Sequence, residues 1–102
     1  MEVLFTLREV AEATGGKISG SGNPPIGGVN VDSRLVVRGD LFVALPGERV
    51  DGHRFLPEAR DSGAVAAIVS RRDQVTDLPL VLVDDTLRAL GDLAAWYRSR
   101  FP

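Results

Sequence analysis

Apolar residues in this chain fall into short blocks separated by polar, glycine-rich breaks, and their spacing changes from block to block. Thr6 followed by Glu9 fits a reciprocal capping box. Leu7, Val10 and Ala11 then share one helical face, and Gly15-Gly16 stops it, which predicts a helix over residues 7–14. Lys17 to Gly20 predicts a short strand, and the turn-rich stretch to Pro25 leads into a second over Ile26 to Val31. Leu41-Phe42-Val43-Ala44-Leu45 is apolar without interruption, as expected of a strand buried on both faces. His53 to Ser62 predicts a helix with Pro57 tolerated in its first turn and Phe55, Leu56 and Ala59 facing inward. Ala64 to Val69 and Leu80 to Val83 predict two more buried strands, with a charged loop from Ser70 to Asp77 between them. Asp84 and Asp85 compete to cap a last helix, roughly Thr86 to Arg100, with Leu87, Leu90, Leu93, Ala94 and Tyr97 on its apolar face. Trp96 is left to packing, or to cover a contact between domains.

Strand, helix and strand in that order require parallel pairing of the two strands. The expected fold is therefore a small, single α/β domain, a mostly parallel sheet with flanking helices, over residues 1–102.

Composition narrows the function classes. The chain has no cysteine, which excludes disulfides and thiolate metal sites. A net charge of -2 gives no bulk electrostatic reason to bind nucleic acid. The apolar runs are too short to span a membrane, and the start Met1-Glu2-Val3-Leu4-Phe5 lacks the basic segment of a signal peptide. A cytoplasmic location without membrane insertion is the expectation.

Candidate chemistry crowds around the 41–45 block. Before it stand Asp32-Ser33-Arg34 and Gly39-Asp40; after it stand Pro46-Gly47-Glu48-Arg49 and Asp51-Gly52-His53. A buried strand with donors and acceptors gathered at its ends suits a polar, anionic small molecule. Ser33 can donate and accept, and Arg34 can fork onto a phosphate or carboxylate, although for the triplet taken alone an Asx turn with a solvated arginine is the better explanation. Gly47 lets backbone amides approach a ligand at the carboxyl end of a strand, and Arg49 can meet negative charge; a merely polar connection is the alternative. His53 can donate to a ligand from a helix N-terminus, or Asp51 can simply cap that helix. With one histidine and no cysteine there is no metal set, and no nucleophile with a partner base marks a catalytic residue. No G-x-x-x-x-G-K-[ST] or G-x-G-x-x-G run is present, so the chain lacks its own machinery for ATP chemistry.

Taken in order, Asp32-Ser33-Arg34, Gly39 to Leu45, Gly47-Glu48-Arg49, Asp51-Gly52-His53, Gly63-Ala64 and Asp85-Thr86 resemble the N-terminal domain of bacterial Mur ligases. The resemblance runs from Thr6 to Pro102. It implies an enzyme of peptidoglycan precursor synthesis whose first domain holds the UDP end of a UDP-linked muramoyl peptide. ATP and magnesium would bind a central domain absent from this chain, so the isolated domain should bind but not catalyse. The Gly47-Glu48-Arg49 loop and the Leu93 to Trp96 helix suggest the branch that adds D-alanyl-D-alanine to the tripeptide precursor. The branch that adds lysine or diaminopimelate to the dipeptide precursor is the alternative, and a stand-alone nucleotide-sugar binding module is another. Pro46 stands where lysine is more usual in the first branch. By this resemblance the substrate-binding residues are Ser33, Arg34, Gly47, Glu48, Arg49, Asp51 and His53, with Asp51 and His53 either fixing that loop or touching the ligand, and none catalytic.

Overall fold

A computed structural model describes residues 2–47, 49–72 and 76–101. The chain runs β1 (Phe5–Thr6), α1 (Leu7–Thr14), β2 (Lys17–Ser19), β3 (Pro25–Ile26), β4 (Gly28–Asn30) and β5 (Asp40–Val43). It continues through a 3-10 turn (Gly52–Phe55), α2 (Leu56–Asp61), β6 (Ala66–Val69), β7 (Leu80–Leu82) and α3 (Thr86–Arg100). Five strands form one sheet in the order β2-β7-β6-β5-β4. β4 to β7 are mutually parallel, and β2 closes one edge antiparallel to β7. β1 and β3 make a separate antiparallel pair, with Phe5 opposite Ile26.

The apolar run at β5 explains how two cores form. Side chains alternate across a strand, so consecutive residues serve opposite faces. Leu41 and Val43 join Leu7, Val10, Ile68, Val81, Ala89 and Leu93 beneath α1 and α3. Phe42 and Ala44 join Val36, Leu56, Ala59, Ala67 and Val69 beneath α2. Each large apolar side chain fully buried in this way contributes about 2 kcal/mol.

Local signals set the helix ends. Thr6 and Glu9 form the expected capping box, and Gly15 ends α1 in the left-handed region at φ 73°. Asp85 rather than Asp84 caps α3, its Oδ1 accepting the Arg88 amide at 3.1 Å.

Several expectations change. The strand expected over residues 26–31 is two strands, because β3 leaves the main sheet to pair with β1, a pairing between segments far apart in sequence. The helix expected from His53 opens as a 3-10 turn, and α2 begins only at Leu56, with Pro57 in its first turn. Phe55 is 37% exposed rather than facing inward. On α3, Leu93 is buried and Leu90 and Tyr97 pack against the core as expected, but Leu87 is 62% exposed and Ala94 is exposed, with Thr86 and Ala89 buried instead. Trp96 packs edge-on against Phe5 at 6.1 Å between ring centroids, so it serves the domain's own core.

The parallel arrangement fixes where a ligand can approach. The connections leaving the carboxyl ends of β4 and β5 emerge side by side, as in open α/β sheets generally.

Candidate functional site: a cleft beside β4 and β5

Those two connections wall a cleft of about 420 Å³. One wall is Val31, Asp32, Ser33 and Arg34; the other is Leu45, Val50 and Gly52, with Phe55 and Glu58 completing it. The lining is thus part apolar and part hydrogen-bonding, as small-molecule sites are.

The first wall is an Asx turn. Asp32 Oδ1 accepts the Arg34 amide at 3.0 Å, and the Arg34 guanidinium returns onto the same carboxylate at 3.0 and 2.9 Å. Ser33 is held between them and is 6% exposed, whereas the Arg34 side chain is largely in solvent. The Arg34 side-chain hydrogen bond, chiefly, lowers the Asp32 pKa below the usual carboxylate value, and the carboxylate raises that of Arg34 in turn. Arg34 therefore reaches the cleft already oriented, with Nη1 outside the Asp32 pair.

The second wall is pinned from behind. Gly52 donates its amide to the Leu45 carbonyl at 2.8 Å. A Cβ at Gly52 would stand 2.7 Å from that carbonyl oxygen, so only glycine lets the connection close here. Asp51 Oδ1 accepts both the His53 amide at 2.9 Å and His53 Nδ1 at 2.7 Å. His53 is 1% exposed, and its Nε2 accepts the Ser70 amide at 2.9 Å, just past the end of β6. The other Asp51 oxygen pairs with Arg71. The backbone hydrogen bond from His53, first, with the His53 and Arg71 side chains after it, holds the Asp51 carboxyl far below the usual carboxylate range.

The structure thus brings the candidate residues to one place but assigns them different work. Ser33 and Arg34 line the cleft. Asp51 and His53 stand behind it, and both His53 ring nitrogens already have partners inside the domain, which fits the first of their two expected tasks, fixing the loop, rather than ligand contact. Gly47 and Arg49 lie on the same connection without lining the cleft. At Gly47 a Cβ would collide with the Val50 carbonyl, so its role is to allow the turn. Glu48 lies outside the described residues. Sequence reasoning missed Ser70 and Arg71 as supports. They stand 17 and 20 positions beyond His53 and Asp51, and only the β5–β6 pairing brings them near. It also placed Phe55 in the core; its position two residues after His53 was the available signal.

A larger depression of about 600 Å³ lies near the end of β7, lined in part by Lys17, Asp84, Asp85, Arg88 and Asp92. None of the candidate residues touches it, and three carboxylates against two cations make it a poor seat for an anion.

Comparison with known proteins matches residues 25–98 to the model described as Mur ligase family, catalytic domain. The UDP-N-acetylmuramoyl-tripeptide--D-alanyl-D-alanine ligase of Escherichia coli is 41% identical over 100 residues, covering 98% of this chain and 22% of that protein. The UDP-N-acetylmuramoyl-L-alanyl-D-glutamate--2,6-diaminopimelate ligase of Geobacillus kaustophilus is 48% identical over 79 residues, covering 78% of this chain and 16% of that protein. Among solved structures, MurF from Acinetobacter baumannii superposes with a TM-score of 0.82 at 33% identity, over 94% of this chain and 21% of that one. The chain thus spans about a fifth of the length of the relatives it matches. Its five-stranded, mostly parallel sheet, the cleft beside β4 and β5, and these similarities lead to one statement: the chain belongs to the Mur ligase family, as a small α/β domain of the MurF N-terminal type.

Proposed function

We propose that this domain holds the UDP end of a UDP-linked muramoyl peptide for a ligase of peptidoglycan synthesis that adds D-alanyl-D-alanine. The observation that carries the reading is the placement of Ser33 and Arg34 opposite Gly52 and Val50 across one cleft at the carboxyl ends of β4 and β5. Ser33 supplies a hydroxyl to the nucleotide, and the oriented Arg34 supplies positive charge to the diphosphate. Val31, Val50 and Phe55 offer apolar surface to the base. Gly47 and Arg49 lie on the connection beside the nucleotide, and Asp51 and His53 hold that loop.

The ligase chemistry lies elsewhere in the full-length enzyme. This sequence has no glycine-rich loop ending in Gly-Lys-Ser/Thr, so its residues do not suit ATP, and no step is assigned to them. ATP and magnesium belong to the central domain of the complete ligase, which also adjoins this domain there. The isolated chain binds without catalysing. The cytoplasm is the compartment consistent with this reading, and no helix among the described residues is long and apolar enough to cross a membrane.

Titration with UDP and with UDP-N-acetylmuramoyl-tripeptide, followed by amide chemical shifts, tests the proposal. Shifts should gather at residues 31–34 and 45–53, and Ser33→Ala and Arg34→Ala should each weaken binding by about five- to tenfold with the fold intact. Equal affinity in both variants would remove these residues from the site.

A second reading is the diaminopimelate-adding branch, favoured by the 48% identity to the Geobacillus kaustophilus ligase. Phosphate release by the full-length enzyme separates the two: tripeptide precursor with D-alanyl-D-alanine against dipeptide precursor with diaminopimelate. A stand-alone binding module would release phosphate with neither pair.

A further inference from the structure

The buried His53 stands behind the cleft rather than in its lining. It belongs to a closed ring of four residues. Asp51 Oδ1 faces His53 Nδ1 at 2.7 Å, His53 Nε2 faces the Ser70 amide at 2.9 Å, Ser70 is joined by a peptide bond to Arg71, and Arg71 returns to Asp51. The ring's hydrogen bonding fixes the tautomer. A backbone N–H can only donate, so Nε2 must carry a lone pair; the Asp51 carboxylate can only accept, so Nδ1 must carry the proton.

We propose that His53, as the neutral Nδ1–H tautomer, is the positioning residue of the cleft: it fastens the β5 connection to the end of β6 and thereby sets where Leu45, Val50 and Gly52 stand. This rests on the reading of the cleft as the ligand site. The physical case is one of reach. Pro46, Gly47, Arg49 and Val50 on this connection are exposed. Gly52 closes the connection onto Leu45, but that bond lies within its own stem. The His53–Ser70 and Asp51–Arg71 bonds tie its far end to the segment just past β6. The first of them is shielded from water, where a hydrogen bond holds most firmly.

The two halves of the imidazole can be separated chemically. In His53→Asn the amide nitrogen stands near the place of Nδ1 and keeps the Asp51 bond. In His53→Gln the amide oxygen stands near the place of Nε2 and keeps the Ser70 bond. The test combines three measurements. Nitrogen-15 spectra of the wild-type imidazole should show a protonated Nδ1 and a bare Nε2 at neutral pH. Amide hydrogen exchange at Gly52 should quicken about tenfold in His53→Asn, whose tie to β6 is cut, and less in His53→Gln, while Ala44 and Ala67 stay within about twofold of wild type. UDP affinity should follow the same order, with His53→Gln closer to wild type.

An Nε2–H or doubly protonated ring, or Gly52 exchange that moves only in step with Ala44, would overturn the proposal. Equal UDP affinity in wild type and both variants would overturn it as well. Failure of the wild-type chain to bind UDP at all would instead count against the binding reading; the tautomer and the exchange pattern would still decide whether His53 fastens the loop.

Discussion

At Asp32 and at Asp51 the chain makes the same local turn. Each Oδ1 accepts the amide of the residue two positions on, Arg34 at 3.0 Å and His53 at 2.9 Å, and the side chain of that residue folds back onto the carboxylate. There the likeness ends. The Arg34 side chain is 80% exposed, and its pair with Asp32 closes within three residues. His53 is buried, and its pair with Asp51 continues into Ser70 and Arg71, just past the end of β6. The first turn presents a serine and an arginine to the cleft. The second supports the opposite wall from inside. An exposed pair is screened and adds little to stability. Cutting a buried network leaves groups without partners, and that costs far more. One local pattern therefore carries two roles, and burial decides between them.

Four substitutions break or sharpen this contrast. The largest effect should come from His53→Ala, which empties a buried site and leaves the Ser70 amide without its acceptor; urea unfolding should show a loss of about 3 kcal/mol. A loss below about 1 kcal/mol would mean that the second turn is as dispensable as the first. Gly52→Ala places a Cβ 2.7 Å from the Leu45 carbonyl oxygen, which forces the connection to shift and should lower stability by about 2 kcal/mol in the same assay.

Asp51→Asn comes next and is read against pH. The folded carboxyl titrates well below the unfolded one, so its contribution is fully present above about pH 4 and fades as pH falls toward the lower folded value. Wild-type stability should therefore decline from about pH 4 downward, and the variant should decline less steeply over the same range. Parallel acid limbs would show that another carboxyl governs the decline. The smallest effect belongs to Asp32→Asn. The amide oxygen can keep the Asx turn and only the exposed ion pair is lost, so the unfolding midpoint should not move measurably. UDP affinity should fall all the same, because Arg34 loses the partner that orients it.

Much of this was legible in residue order. The Thr6–Glu9 capping box, the Gly15 stop, the buried strands around Leu41, Ala66 and Val81, and their parallel pairing all follow from short-range spacing. The split between β3 and β4 was not legible, because the β1–β3 pair joins residues twenty apart and depends on where α1 packs. On α3 the expected face holds at Leu90, Leu93 and Tyr97 but not at Leu87, where the docking geometry, not hydrophobicity, gives the place to Ala89. Ser33 and Arg34, singled out from the sequence, line the cleft. For His53 the sequence left loop support and ligand contact both open, because the group that its Nε2 accepts from lies 17 positions away.

The sequence by itself determined the elements, the crossover that makes β5 and β6 parallel, and the polar triplets at the strand ends, because each follows from interactions within a few residues or from the handedness of the chain. Only the tertiary structure decided which of those triplets faces the cleft and which faces inward. Burial at His53 and the partners beyond Asp51 come from segments distant in sequence, and a carboxylate's local turn is the same whether water or a buried imidazole stands beyond it.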